Sequence, residues 1–366
     1  MWPFPHCYLN MDRRRLVLNY IVLIISTIVG LVIVEFSLRF LQPPAVGMSH
    51  QPLLYRIDQK LGYQYIPNAI GRIHRNFEID NLITLNSRGF HDIEHHLNPS
   101  SRRIVAIGDS FTAAIHVSKS QIWTQILQSK LRNKWQNDNV EVINLGIDGT
   151  GSNIHLELLR QHAIELQPET VVVAFTNNDI GDLSMGRIYR EVYRDYVLSF
   201  INNVQQKKMQ QLVDVTLNQS NLIWLHKHLY LVRLGAFLIG GNDNLFRSNF
   251  VKPSHIDQSV SRSQKKITLQ TVFQEFITLS KQHGFHLIVM PIPMKENKDI
   301  SLEVLRSYVQ IDELDVVNPL PHMQSILEND GKTFADMYWQ YDGHFNAYGY
   351  KLFGLAVAEA IDEKNE

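Results

Sequence analysis

The chain has 366 residues, of which 45% are hydrophobic and 19% charged, a composition that suits one large folded domain with an appendage and argues against an intrinsically disordered chain. Lys and Arg total 35 against 36 Asp and Glu, a formal charge of −1, so no basic excess is available to neutralise phosphates and no nucleic acid is expected as a partner. The single cysteine, Cys7, precedes the first apolar segment, which excludes an intrachain disulfide and a cysteine-based zinc site.

Leu16 to Val34 carries no charged side chain, and at about 1.5 Å rise per residue this run approaches the ~30 Å of a bilayer's hydrocarbon core. It reads as one transmembrane helix. Arg13, Arg14 and Arg15 precede it while Glu35 and Arg39 follow, so the positive-inside rule predicts a cytoplasmic tail over residues 1–15 and an extracytoplasmic remainder, as in a single-pass protein of the cytoplasmic (inner) membrane. The run exceeds the usual apolar region of a cleaved signal peptide, and no A-x-A-like cleavage site follows it. Gln42, Pro43, Pro44, Gly47 and Pro52 cannot continue a helix, which makes residues 35–50 a linker out of the membrane.

Residues 51–101 are irregular, with turn signals at Pro67-Asn68 and Asn86-Ser87-Arg88-Gly89, and read as a lead-in of short strands and loops. From residue 102 to 366, short β-branched runs alternate with helical patterns. Ile104–Ile107, Val140–Leu145, Val171–Phe175 and Phe285–Ile292 read as buried parallel strands, with a weaker fifth at Thr333–Met337. Helical periodicity occupies Ile122–Trp135, Ile154–Leu166, Ser263–His283 and Ala347–Ile361. Such alternation predicts right-handed crossovers and a doubly wound α/β domain, with ligands at the carboxyl ends of the strands. The connection at about 182–262 is too long for an ordinary loop and reads as a helical insertion. Its apolar stretch Asn221–Gly240 contains His226, Lys227, His228 and Arg233, which argues against a second span and favours a cap on the main domain over a membrane-contacting surface.

Four short strings fall where a catalytic site would form. Gly108-Asp109-Ser110 follows the first strand, where a serine hydroxyl is exposed at the mouth of the sheet, although Asp109 and Ser110 equally suit a helix cap. Asn144 to Gly151 supplies glycines that let backbone N–H groups approach a substrate oxygen, or simply make a tight turn. Thr176-Asn177-Asn178-Asp179 places amide donors at the same edge, and asparagine is also an ordinary loop residue. Asp342-Gly343-His344 precedes the last helix, and an imidazole oriented by a carboxylate is the natural base for a serine, although a lone Asp-x-His is more often a solvated turn.

Taken together, Gly108-Asp109-Ser110, Gly149, Asn178-Asp179 and Asp342-x-His344 resemble the four sequence blocks of the SGNH/GDSL hydrolases, and Asn86 to Phe90 resembles an Asn-Ser-x-Gly-Phe string of their membrane-anchored branch. The resemblance implies a three-layer α/β/α flavodoxin-like domain with a five-stranded parallel sheet and no cofactor. It makes Ser110 the nucleophile, His344 its base and Asp342 the partner of His344. Backbone N–H groups of Ser110 and Gly149 with the Asn178 side chain would form the oxyanion hole, and Asp109 and Asp179 would support their turns. Two departures stand out: Thr176 occupies a position usually held by glycine, and one residue rather than two separates Asp342 from His344. The shorter spacing resembles polysaccharide O-acetyltransferases of the same fold.

The expected substrate is an acyl ester, O-acetyl groups of an envelope glycan or a lipid, with acyl transfer to an envelope polysaccharide and non-catalytic glycan binding as the alternatives. No glycine-rich dinucleotide fingerprint opens the first helix. No metal is expected, because Glu94-His95-His96 are sequence neighbours whose side chains diverge. His116 and His155 lie near the motifs and are accounted for by packing.

Overall fold

The structure is a computed structural model that describes residues 13–41, 54–58, 60–75, 78–95, 98–180, 189–190, 199–200, 225, 229–232, 234–235 and 262–364. Residues 35–41 of the proposed linker are helical, which moves its start to residue 42; residues 42–50, most of the insertion, including Arg233, and His96 lie outside the described residues. The chain divides into two compact units, residues 1–47 with 221–245, and residues 48–220 with 246–366.

The first unit is built on α1 (Arg13–Leu41), which among the described residues is the one helix long and apolar enough to cross a membrane. Its aliphatic side chains are exposed. Three of its hydroxyls bond back to the helix itself: those of Ser26 and Thr27 donate to Leu23 O, and that of Ser37 to Ile33 O. Near the end of the helix the Glu35 carboxylate pairs with Arg39 and accepts the N–H groups of Tyr230 and Leu231 at 3.0 and 2.8 Å. The Arg39 guanidinium stands 5.3 Å over the Tyr230 ring. Tyr230 and Leu231 therefore pair with α1, and the apolar stretch that the sequence reads as a cap on the main domain belongs to the unit of α1.

The second unit begins with two antiparallel hairpins, β1 (Tyr55–Asp58) with β2 (Gly62–Tyr65) and β3 (Ile70–Arg75) with β4 (Ile79–Thr84). The main sheet contains β5 (Arg102–Gly108), β6 (Val140–Asn144), β7 (Thr170–Phe175), and, beyond a two-residue pair β8 (Tyr189–Arg190) with β9 (Ser199–Phe200), β10 (His286–Pro291) and β11 (Asp315–Val316). All its pairings are parallel, and its order is β6-β5-β7-β10-β11. The direction of winding reverses between β5 and β7, which makes their carboxyl ends the topological switch point where such sheets bind ligands.

Both faces of the sheet are apolar, as continuous β-branched runs demand. On one face Ile104, Ala106, Val142, Val172 and Met290 pack with side chains of α3 (Trp123–Trp135) and the final helix, α8 (Ala347–Asp362). On the other, Val105, Ile143, Val171, Val173 and Val289 pack with α4 (Ser152–Leu158) and α5 (Arg262–His283). Leu54, Tyr65, Ile73, Ile79 and Ile83 of the lead-in join this second core, so the hairpins are part of the domain. Burying each such side chain is worth roughly 1.5–3 kcal/mol.

Two expectations are corrected in this unit, and two helices are added. The fifth strand is Asp315–Val316, whereas Thr333 opens a capping box with Asp336 that turns Phe334–Met337 into a 3₁₀ helix. The helix expected over Ile154–Leu166 is regular only to Leu158 and continues as a π turn over Leu159–Ala163 and a 3₁₀ turn over Ile164–Leu166. Helices α6 (Ile300–Tyr308) and α7 (Leu320–Asn329) were not anticipated, each being too short to separate from a loop by periodicity.

Candidate active site

β5 runs into a four-residue helix, α2 (Ser110–Ala113), whose N-cap is Asp109: Oδ1 accepts the Phe111 N–H at 3.0 Å. The cap and the exposed serine of the sequence reading are one feature, because the capping turn lifts Ser110 to the sheet's edge. Asn144 at the end of β6 secures that turn, its Nδ2 donating to Thr112 O at 2.8 Å and its Oδ1 accepting Gly146 N–H at 2.8 Å. A Cβ at Gly146 would lie 2.2 Å from Ala113 N and 2.5 Å from the Thr112 carbonyl carbon, so only glycine lets the second loop pass behind the Ser110 turn.

The Asp342-Gly343-His344 loop is brought over Ser110 by the start of α8, where Asn346 caps the N–H groups of Tyr348 and Gly349 at 2.9 and 3.1 Å. His344 Nε2 lies 2.8 Å from Ser110 Oγ, and His344 Nδ1 lies 2.5 Å from Asp342 Oδ1, which also accepts the His344 N–H at 2.9 Å. An ionised Asp342 accepts the Nδ1 proton, which leaves the Nε2 lone pair facing the serine O–H. The tautomer is thus the one needed to withdraw the serine proton. The imidazole is clasped by Phe111, at a centroid distance of 4.9 Å, and by His116, stacked at 3.9 Å.

Behind these groups lies a buried polar network that explains the Thr176 departure. Thr176 Oγ1 is 3.0 Å from Asp109 Oδ2 and 2.9 Å from Asp179 Oδ1, and Asp179 Oδ2 accepts from Ser152 at 3.1 Å. Asp109 and Asp179 are both buried, and burial pushes the Asp109 carboxyl above the usual carboxylate range. Asn178 Nδ2 is 3.4 Å from Asp109 Oδ2. Gly149 adopts a φ of +69°, the left-handed region that glycine enters without strain. His155 is held 3.2 Å from Thr150 Oγ1 in this shell, and burial pushes its pKa down to about 3, so it stays neutral.

His116, Asp342 and His344 place ligand-type atoms within 4.8 Å of one another. The residues do not suit a metal: the two rings are inclined by only 19°, and in-plane lone pairs of stacked rings cannot converge on one ion. Glu94 bonds Ser87 while His95 Nε2 lies 2.9 Å from Asp92, so Glu94 and His95 turn to different partners.

Sequence reasoning missed the contribution of the lead-in. Buried Asp92 accepts from Asn144 N–H at 2.8 Å and from Gln125 Nε2 at 3.0 Å. Glu78 accepts from the backbone of Tyr341 and Asp342, the second at 2.7 Å. The Tyr65 hydroxyl donates to Asp148, beside Gly149. Asp92, two residues past the Asn86–Phe90 string, was the only one with a local signal. The others pair across separations no short pattern encodes.

Among curated proteins none matches the chain in sequence. Solved structures similar to it include a lipase/acylhydrolase from Enterococcus faecalis (17% identity, TM-score 0.37, covering 72% of this chain and 97% of that one). Another is an acetylxylan esterase from Geobacillus stearothermophilus solved as a catalytic mutant (14%, 0.39, 72% and 94%). A third is a GDSL-like lipase from Bacteroides thetaiotaomicron (14%, 0.36, 73% and 91%). The family model of GDSL-like lipases and acylhydrolases matches residues 104–357, a span that contains every one of the four motif blocks, and the chain belongs to that family.

Proposed function

We propose that this hydrolase is a membrane-anchored serine esterase that removes acyl, chiefly O-acetyl, groups from a cell-envelope carbohydrate. The observation that carries the reading is the continuous hydrogen-bond chain Ser110 Oγ–His344 Nε2, 2.8 Å, and His344 Nδ1–Asp342 Oδ1, 2.5 Å. Ser110 Oγ attacks the ester carbonyl carbon as His344 Nε2 takes its proton, and Asp342 stabilises the imidazolium without itself becoming protonated. Collapse of the tetrahedral adduct breaks the bond to the alcohol oxygen, which receives the proton from His344. Water, deprotonated by His344, then attacks the Ser110 ester, and the freed Ser110 Oγ recovers the proton. Donors at Ser110 N, Gly149 N and Asn178 Nδ2 are assigned to the developing oxyanion, each worth roughly 3–4 kcal/mol in comparable hydrolases.

The carbohydrate assignment is supported by Tyr341, an aromatic side chain 70% exposed next to Asp342, suited to pack on a sugar ring. The single residue between Asp342 and His344 favours a second reading, transfer, in which a sugar hydroxyl replaces water in deacylation. The helix α1 and the arginines before it support an N-terminus inside and a catalytic unit outside the cytoplasmic membrane.

The test is fluorophosphonate labelling of the full-length protein in detergent, beside Ser110→Ala and His344→Ala. Stoichiometric labelling lost in Ser110→Ala supports the acyl-enzyme reading. A folded wild type that takes up no probe rejects it.

A further inference from the structure

We propose that Glu78, in the turn directly before β4, is a positioning residue for the Asp342–His344 pair; the role rests on the hydrolase reading above. Its carboxylate receives the Tyr341 N–H at 3.0 and 3.1 Å and the Asp342 N–H at 2.7 Å. The donors are consecutive, so the peptide plane from which the Asp342 side chain departs is fixed, and an ionised acceptor makes these bonds stronger than neutral ones. The opposite edge of the same stretch is held by a cation. Lys295 Nζ donates to Trp339 O at 2.8 Å and to Gln340 O at 2.6 Å.

This double grip answers a physical need. Tyr341 is largely exposed, so its side chain does not anchor the loop as core side chains anchor the strands. Charged hydrogen bonds to both edges of the backbone supply the missing rigidity. Asp342 must hold His344 within a few tenths of an ångström, because displacement of a catalytic group by about 1 Å can cost on the order of a hundredfold in rate.

Glu78 also explains why the lead-in belongs to the domain. The same segment supports the other catalytic loops: Asn81 Nδ2 donates to Ile115 O at 2.8 Å and Val117 O at 2.6 Å, on either side of His116, and Asp92 holds Asn144 N at 2.8 Å. Glu78 is the member of this frame that touches the loop of the base.

The experiment compares full-length wild type, Glu78→Ala and Glu78→Gln in detergent by fluorophosphonate labelling and by kcat and KM with p-nitrophenyl acetate. Glu78→Ala is expected to slow labelling and kcat by roughly tenfold or more while KM stays within about twofold. The labelled fraction at completion should remain stoichiometric. Glu78→Gln, which keeps a neutral acceptor, is expected to fall between the two, and it decides the question if Glu78→Ala does not fold. Wild-type rates in the folded variants overturn the role, as does a lower labelled fraction at an unchanged rate, which would mark Glu78 as important for folding only. An unlabelled wild type would instead remove the hydrolase reading on which the role depends.

Discussion

The imidazole of His116 lies flat on that of His344, their centroids 3.9 Å apart and their planes inclined by 19°. The stack limits rotation of His344 about its side-chain bonds, so the ring keeps Nε2 on Ser110 and Nδ1 on Asp342 together. Aromatic pairs of this kind are worth about 0.5–1.5 kcal/mol, which corresponds to a factor of roughly 2–13 in rate. His116→Ala should lower kcat by that factor at constant KM, and His116→Phe should restore most of it. Steady-state kinetics with a small acetyl ester checks this; equal rates in all three proteins would show the stack to be idle.

Thr176 has one hydroxyl proton and two carboxylate neighbours, Asp109 at 3.0 Å and Asp179 at 2.9 Å. It can donate to only one of them, and the upward-shifted Asp109 is the group able to return a proton to the threonine oxygen. Thr176→Val keeps the shape and removes both contacts within a fully buried setting. The expected loss is about 1–3 kcal/mol of stability, read from urea unfolding; an unchanged midpoint would count against the bridge.

His91 and His155 give the domain an acid sensitivity. Burial lowers their pKa values to about 4 and about 3, whereas an unfolded histidine titrates near 6.5. Between these values the unfolded chain binds protons that the folded chain refuses, so stability falls as pH falls, by up to about 1.4 kcal/mol per pH unit for each histidine. Asp109 has the opposite sign, because its raised pKa lets the folded state keep a proton, a contribution lost as pH rises; it offsets at most one histidine. The melting temperature should therefore drop between pH 7 and pH 5. No drop in a thermal scan would refute the neutral buried assignments.

Asp92 collects four donors, from Ile93 N, His95 Nε2, Gln125 Nε2 and Asn144 N, at 2.8 to 3.0 Å. Asp92→Ala strands several of them in the interior and should cost about 3 kcal/mol or more. Because Asn144 secures the Thr112 carbonyl, labelling of Ser110 should slow as well. Retention of both stability and labelling rate would mean that the lead-in does not brace the nucleophile turn.

The sequence by itself determined the apolar helix near the N-terminus, the alternating α/β pattern and the family's motif blocks that contain Ser110, Asp342 and His344, because each rests on local information. An uncharged run long enough for a bilayer, β-branched strands buried on both faces, and glycine or aspartate at a strand end are all legible within a few neighbouring positions. The tertiary structure decided what depends on pairing across the chain. It put the fifth strand at Asp315–Val316, where a two-residue segment is recruited by β10 and carries too little pattern of its own. It moved His116 from packing to the face of His344 and assigned Thr176 to two carboxylates. It also turned the lead-in into a frame through Tyr65, Glu78, Asn81 and Asp92. Their partners lie tens to hundreds of residues away, so only folding, which brings distant backbone N–H and carbonyl groups within hydrogen-bond reach, gives these side chains their roles.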